Sequence, residues 1–207
     1  MNEDEKLSPR GWYSRGYVPH FDSSHTIQHI TYRLADSLPR DAVLRMEGEL
    51  KSLRADETRR KGLLRQRIDN YLDAGHGACI LREPEIASRI VENWLHFDGE
   101  RYQLLAWVVM PNHCHVLIEP FQNTRLGQIV LSWKSYTARW IKAHLRACGR
   151  VVPPKIWQRE YWDRAIRNER HFAVVMDYIE MNPVNAGLVH RPEDWLWSSA
   201  RARTDNQ

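Results

Sequence analysis

From residue 27 to residue 34, Ile27, His29, Thr31 and Arg33 alternate with Gln28, Ile30, Tyr32 and Leu34. A period of two in a β-branched and aromatic stretch predicts a strand. The period then lengthens. Between residues 39 and 72, Val43, Leu44, Leu50, Leu53, Leu63, Leu64 and Ile68 recur at helical spacing among charges, which predicts one or two helices, and residues 84–96 predict another. Residues 102–110 and 113–119 read as strands, and Pro111-Asn112 between them suits a tight turn, so a hairpin is expected. Asn123 or Thr124 can cap the following helix. Its apolar stripe is Leu126, Ile129, Val130, Trp133, Thr137, Trp140, Ile141 and His144; Arg139, Lys142 and Arg146 face water, and Gly149 and Pro153-Pro154 end it. A short extended piece at 161–166 precedes Asn168, which can cap a helix running to about residue 182, where Pro183 stops it. The order β, α, α, β, β, α, β, α describes an α+β protein with helices packed on one face of its sheet.

The chain's 207 residues suit one domain, taken here as 25–202, with an N-terminal tail and arm at 1–24 and a short tail at 203–207. A hydrophobic fraction of 43% with nine Trp excludes a disordered chain. The longest apolar run, 104–110, is too short to span a bilayer, and the charged N-terminus lacks the apolar stretch of a signal peptide, so a soluble, non-secreted protein is expected. Cys79, Cys114 and Cys148 are odd in number and form no C-x-x-C, which fits a reducing cytoplasm and argues against a disulfide framework. The net charge of +4 is unevenly placed. Residues 121–172 carry net +8, with Trp133, Trp140, Trp157, Tyr161 and Trp162 interleaved, while the flanks are each net −2. Cations with flat rings suit nucleic acid; a solvated basic face beside core tryptophans has the same composition.

Candidate chemistry sits in His113-Cys114-His115. Alternation along a strand puts both imidazoles on one face, about 7 Å apart at the backbone, and Cys114 on the other. Two imidazoles can grip one divalent ion, although H-x-H pairs also arise structurally. Tyr178 and Asn182, four apart on the last helix, offer a phenol nucleophile and an amide ligand at the border of the stripe Phe172, Val175, Met176, Ile179. Each also has a plain reading, Tyr178 as a border core residue and Asn182 as a helix cap. Tyr136 is a rival nucleophile whose neighbour one turn on, Trp140, cannot ligate. Lys134, Ser135, Arg139, Lys142 and Arg146 are candidates for contact with a DNA backbone.

Met110-Pro111-Asn112-His113-Cys114-His115-Val116-Leu117-Ile118, Trp133-Lys134-Ser135-Tyr136-Thr137-Ala138-Arg139, Trp157-Gln158-Arg159-Glu160-Tyr161-Trp162-Asp163, Tyr178-Ile179-Glu180-Met181-Asn182-Pro183-Val184-Asn185-Ala186-Gly187-Leu188 and Trp195-Leu196-Trp197-Ser198-Ser199-Ala200 occur in this order. Together they resemble the REP-associated tyrosine transposases, HUH single-tyrosine transposases of bacterial insertion sequences, from about Gly11 to Ala202. The resemblance implies a ferredoxin-like (RRM-like) antiparallel sheet and metal-assisted cleavage and rejoining of single-stranded DNA beside imperfect palindromic hairpins. It makes His113 and His115 the HUH pair, Tyr178 the nucleophile, and Asn182 the third ligand of Mg²⁺ or Mn²⁺, where insertion-sequence relatives usually carry Gln. Cys114 stands where the family usually has a bulky apolar residue. Arg15, Tyr17 and His20 fall in a segment similar to the one that reads bases at the hairpin foot; a packed arm is the other reading. A bacterial cytoplasmic protein working at the nucleoid is implied, and monomer or homodimer stays open. A hairpin-binding protein that does not cut and a phosphodiesterase that uses water remain as alternatives.

Overall fold

The computed structural model describes residues 11–14, 19–22, 25–51, 56–122 and 124–204. A two-stranded antiparallel ribbon, β1 (Gly11–Ser14) with β2 (Pro19–Asp22), precedes the main body. The body then runs β3 (Gln28–Arg33), α1 (Arg40–Lys51), α2 (Glu57–Asp73), α3 (Pro84–Leu95), β4 (Tyr102–Val109), β5 (His113–Pro120), α4 (Leu126–Ala147), β6 (Trp162–Ala165), α5 (Glu169–Asn185) and α6 (Ser199–Thr204). Its four strands form one antiparallel sheet in the order β4-β5-β3-β6. The expected α+β antiparallel architecture is thus present. Among the described residues no helix is long and apolar enough to cross a membrane.

Local chemistry accounts for the helix starts. The Asp56 carboxylate accepts from Arg59 N at 2.8 Å at the head of α2, Asn168 Oδ1 accepts from His171 N at 2.9 Å at the head of α5, and Pro84 opens α3 where its missing N–H costs nothing. The expected side-chain cap of α4 differs: Arg125 stands at the cap position and makes no side-chain capping bond, and Asn123 lies outside the described residues. Pro183 does not stop α5, which continues to Asn185. Near a helix end the absent N–H removes one bond, and Ala186 N and Leu188 N still close the last turn on Asn182 O and Pro183 O.

Both faces of the sheet are covered. Ile30, Tyr32, Cys114, Val116 and Ile118 point to one face, under α3 and α4, where they pack with Trp94, Tyr102 and Trp133. Trp94 and Trp133 donate their indole N–H groups to Tyr32 and Tyr102, so the aromatic core leaves no ring polar group dry. Ala106, Val108, Met110 and Leu117 point to the other face, under Val175 and Ile179 of α5. The helices are therefore divided between the faces and not gathered on one. An unbroken apolar run such as 104–110 is what a strand buried on both sides requires. A register shift between Leu104 and Ala106 lets β4 serve both cores: Leu104 pairs with Ile118, and Ala106 with Leu117.

Candidate active site

Register on the α5 side of the sheet assembles residues that are remote in sequence. Thr31 pairs with His115 and Arg33 with His113 across β3–β5, while Thr31 also pairs with Trp162 and His29 with Arg164 across β3–β6. Directly paired residues share a face. His113, His115, Thr31, His29, Trp162 and Arg164 therefore form one polar patch where the apolar floor of α5 ends.

The two imidazoles of β5 turn their Nε2 atoms toward each other at 3.0 Å, and both rings are buried. Hydrogen bonds on the far sides of the rings fix this arrangement. Asn112 Nδ2 donates to Leu72 O and His76 O, which orients the amide so that its Oδ1 accepts from His113 Nδ1–H at 2.7 Å. His115 Nδ1 lies 2.9 Å from Thr31 Oγ1 and 3.2 Å from His29 Nε2. With Nδ1–H donating to the threonine oxygen, both Nε2 atoms carry lone pairs toward a common point. Burial holds the rings neutral: His29 and His113 are lowered to about 3, and His115 lies well below its usual value through burial and the neighbouring His113.

Helix α5 brings Tyr178 over this pair, its ring 5.2 Å from that of His115 and 5.9 Å from that of His29. Asn182, one turn on, is buried and not at the border of the stripe, because it continues the line of Val175 and Ile179. Tyr178 Oη and Asn182 Oδ1 are both buried; the amide oxygen has no hydrogen-bond partner, and the Asn182 side chain lies within reach of the phenol. Asn182 is close enough to favour the ionised phenol, but burial first and then the charges of Asp69 and Asp73 push the Tyr178 hydroxyl well above its usual range; Arg65 opposes them. Among the described residues no three His, Cys, Asp or Glu are arranged to hold a metal ion. Two further buried oxygens without a hydrogen-bond partner are available as donors, Asp73 Oδ1, 3.6 Å from His113 Nε2, and the amide oxygen of Asn182 on α5. Nitrogen atoms 3.0 Å apart suit adjacent positions around one ion at about 2.1 Å, so the residues present fit a divalent ion.

A second layer comes from α2, which the sequence pattern did not connect with this chemistry. Asp73 Oδ1 lies 3.6 Å from His113 Nε2, and burial with the neighbouring Asp69 raises its carboxyl to about 7. Arg65 Nε lies 3.6 Å from Asp69, and its guanidinium carbon is 2.9 Å from the centroid of the Trp162 ring. Arg65, Asp69 and Asp73 are spaced by four and so share one face of α2. Asn112 looked like a turn residue, and the roles of His29 and Thr31 depend on strand register.

The basic helix α4 lies across the sheet from the histidines. Tyr136 is exposed there, with no place beside them. Ser135, Arg139 and Arg146 are exposed, whereas Lys134 donates to Gln158 O and Arg159 O and is lowered to about 8 by burial, and Lys142 donates to Pro154 O. Trp133, Trp157 and Tyr161 belong to the core; Trp162 is half-buried beneath Arg65. His20 is fully buried, with Nδ1 on Asp163 and Nε2 3.6 Å from Glu160, which ties β2 to β6 and holds this ring away from any base. Arg15 and Tyr17 lie outside the described residues. Cys114 is buried on the face opposite the histidines.

Residues 86–182 match the family described as Transposase IS200 like. A REP-associated tyrosine transposase of Escherichia coli (strain K12) is 32% identical over 101 residues, 47% of this chain and 54% of its own. A Haemophilus influenzae protein is 29% identical over 103 residues, 47% of this chain and 58% of its own. The chain spans about half the length of these curated relatives. The structure of a REP-associated tyrosine transposase bound to a REP hairpin superposes with a TM-score of 0.52 over 92% of this chain and 84% of that one, at 19% identity, a likeness of fold. The resemblance carried by the motifs is borne out. His113, His115, Tyr178 and Asn182 fall inside the matched segment, and α2 falls outside it.

Proposed function

Taking the chain as a relative of the REP-associated tyrosine transposases, we propose that it cleaves and rejoins single-stranded DNA beside REP-type hairpins through a phosphotyrosine intermediate. Tyr178 is the nucleophile. His113, His115 and Asn182 would hold a Mg²⁺ or Mn²⁺ ion, which when bound would polarise the scissile phosphate and stabilise its transition-state charge. Tyr178 Oη forms a bond to phosphorus and gives up its proton; the P–O3′ bond breaks and the departing oxygen takes up a proton. The products are a 5′-phosphotyrosine and a free 3′-hydroxyl. One phosphate ester replaces another, so the reverse step on a second strand needs no ATP.

The observation that carries this reading is the pair of buried imidazoles whose Nε2 atoms converge at 3.0 Å with the Tyr178 ring 5.2 Å from that of His115, while one turn on from Tyr178 the buried Asn182 Oδ1 has no hydrogen-bond partner. A buried polar atom without a partner costs roughly 1–3 kcal/mol, a cost that ligand binding would relieve. Exclusion of water around Tyr178 also favours attack by the phenol over attack by water. The phenol is held protonated in the free protein, so charge from the bound ion and from its own surroundings has to offset the burial. Binding alone would require none of these groups, which sets a non-cutting hairpin binder second.

The test is incubation of end-labelled single-stranded hairpin DNA with the protein and Mg²⁺ or Mn²⁺, followed by a denaturing gel. The wild type should yield a covalent adduct and Tyr178→Phe none, with hairpin affinity within about threefold. Cut DNA without an adduct would establish the water-using phosphodiesterase, and binding without cutting in every hairpin tried would establish the binder.

A further inference from the structure

Helix α2 crosses the strands above the candidate site. At one end Asp73 lies by His113 on β5, and eight residues earlier Arg65 lies on Trp162 of β6. Eight residues of helix rise about 12 Å, and β5 and β6 are two strand spacings apart, roughly 10 Å, so one stripe of α2 spans the polar patch. Its C-terminal end is held there by Asn112, whose amide donates to Leu72 O and His76 O. Leu72 packs with Leu38 and Ala42, which binds α2 to α1 and the chain after β3.

The stripe sets two carboxylates beside the proposed nucleophile. Asp69 and Asp73 both act on Tyr178, and an incoming phosphodiester, itself negative, must approach the same place. A cation on the same stripe offsets that repulsion. Arg65 is that cation, and its charge reaches Tyr178, His115 and His29. Its single ion pair among the described residues is a long one through Nε, 3.6 Å from Asp69, while the Trp162 ring beneath fixes the plane of the guanidinium. That leaves the terminal nitrogens, two parallel donors of the kind that match a phosphate's nonbridging oxygens.

Building on the phosphotyrosine reading, we propose that Arg65 is a further catalytic residue, which grips the nonbridging oxygens of the scissile phosphate as Tyr178 attacks. The phosphate replaces Asp69 as its partner. Bond changes are those of the step already described: Oη–P forms, P–O3′ breaks, and Arg65 keeps all its protons.

Single-turnover adduct formation at saturating hairpin DNA tests this with wild type, Arg65→Gln, Arg65→Ala and Arg65→Lys, all first checked by thermal melting and for Mn²⁺ affinity. Arg65→Gln keeps most of the stacked side chain, so it serves if Arg65→Ala fails to fold. The neutral variants should slow adduct formation about 10²-fold or more, as loss of a donor to transition-state charge does, with hairpin and Mn²⁺ affinities within about threefold. Arg65→Lys should recover part of the rate. A hairpin carrying a neutral methylphosphonate at the scissile position removes the charge that Arg65 binds, so the penalty of Arg65→Gln should shrink to a few-fold. Wild-type rates in the neutral variants, or the same penalty on both substrates, would overturn the role. A wild type that forms no adduct would instead overturn the phosphotyrosine reading, and this role with it.

Discussion

Asn112→Ala tests the claim that one side chain both aims His113 and pins α2. The native amide is fully buried and makes three hydrogen bonds, to Leu72 O at 3.0 Å, to His76 O at 2.9 Å and with His113 Nδ1 at 2.7 Å. Alanine removes all three partners and leaves two carbonyls and one ring N–H to find others. At about 1 kcal/mol net per bond the loss is about 3 kcal/mol, rising to about 5 kcal/mol where a stranded group stays dry. This is a large part of the 5–15 kcal/mol that holds a typical domain together. Urea unfolding followed by tryptophan fluorescence should show a lower midpoint with an unchanged slope. Hydrogen exchange should quicken at residues 72–79, and Mn²⁺ affinity should fall about 10–100-fold as His113 loses its orientation. Asn112→Asp separates the two roles. It keeps an acceptor for His113 but turns a carboxylate toward two carbonyls, so stability should fall as in alanine while Mn²⁺ affinity is largely kept. A loss under 1 kcal/mol in Asn112→Ala with unchanged Mn²⁺ affinity would refute the reasoning.

Three further outcomes are expected. Stability should fall as pH drops from 6.5 to 5, because the unfolded chain takes up protons at His29, His113 and His115 while the folded one holds them neutral, at most about 1.4 kcal/mol per pH unit for each ring. Asp73 acts in the opposite sense: raised to about 7, it keeps its proton in the fold while the unfolded chain loses it, so its contribution declines as pH rises from about 4 to 7. Asp73→Asn should therefore raise stability at pH 7.5 and steepen the acid loss in urea titrations, and a flat profile in the wild type would contradict the burial of the three rings. Thr31→Val removes the hydroxyl beside His115 Nδ1 and should weaken Mn²⁺ binding about 10–100-fold by calorimetry with little change in fold; wild-type affinity would place the control of that ring elsewhere. If the exposed face of α4 meets DNA, Arg139→Ala with Arg146→Ala should lower the slope of log K against log salt by about 1.4, and an unchanged slope would make that face a solvated one.

The strands at His113 and at Ile27, the hairpin across Pro111-Asn112, and the long amphipathic α4 were legible because each is governed by neighbours within a few residues: a period of two or 3.6, a turn dipeptide, a glycine stop. The candidate chemistry of His113, His115, Tyr178 and Asn182 was legible for the same reason, as pairs two and four residues apart carry their own geometry. Local rules failed where distant segments meet. Periodicity cannot tell which face of the sheet a helix covers, and so α5 and α4 were expected together when the sheet separates them. The +8 block drew attention to α4, yet Trp133 and Trp157 fill the core and Lys134 and Lys142 are engaged by carbonyls. For His20 the sequence left a base-reading segment and a packed arm open, and the packing of β2 against β6 makes it a buried partner of Asp163. Arg65, Asp69 and Asp73 carry no local signal of a site, and only the packing of α2 over Trp162 and His113 brings them to it. What composition and spacing determined is the set of elements and the reactive pairs within them. What the tertiary structure decided is which pairs share a dry space, because strand register and helix packing are fixed by contacts between residues tens of positions apart, and burial there sets whether a side chain is a ligand, a buttress or a solvated charge.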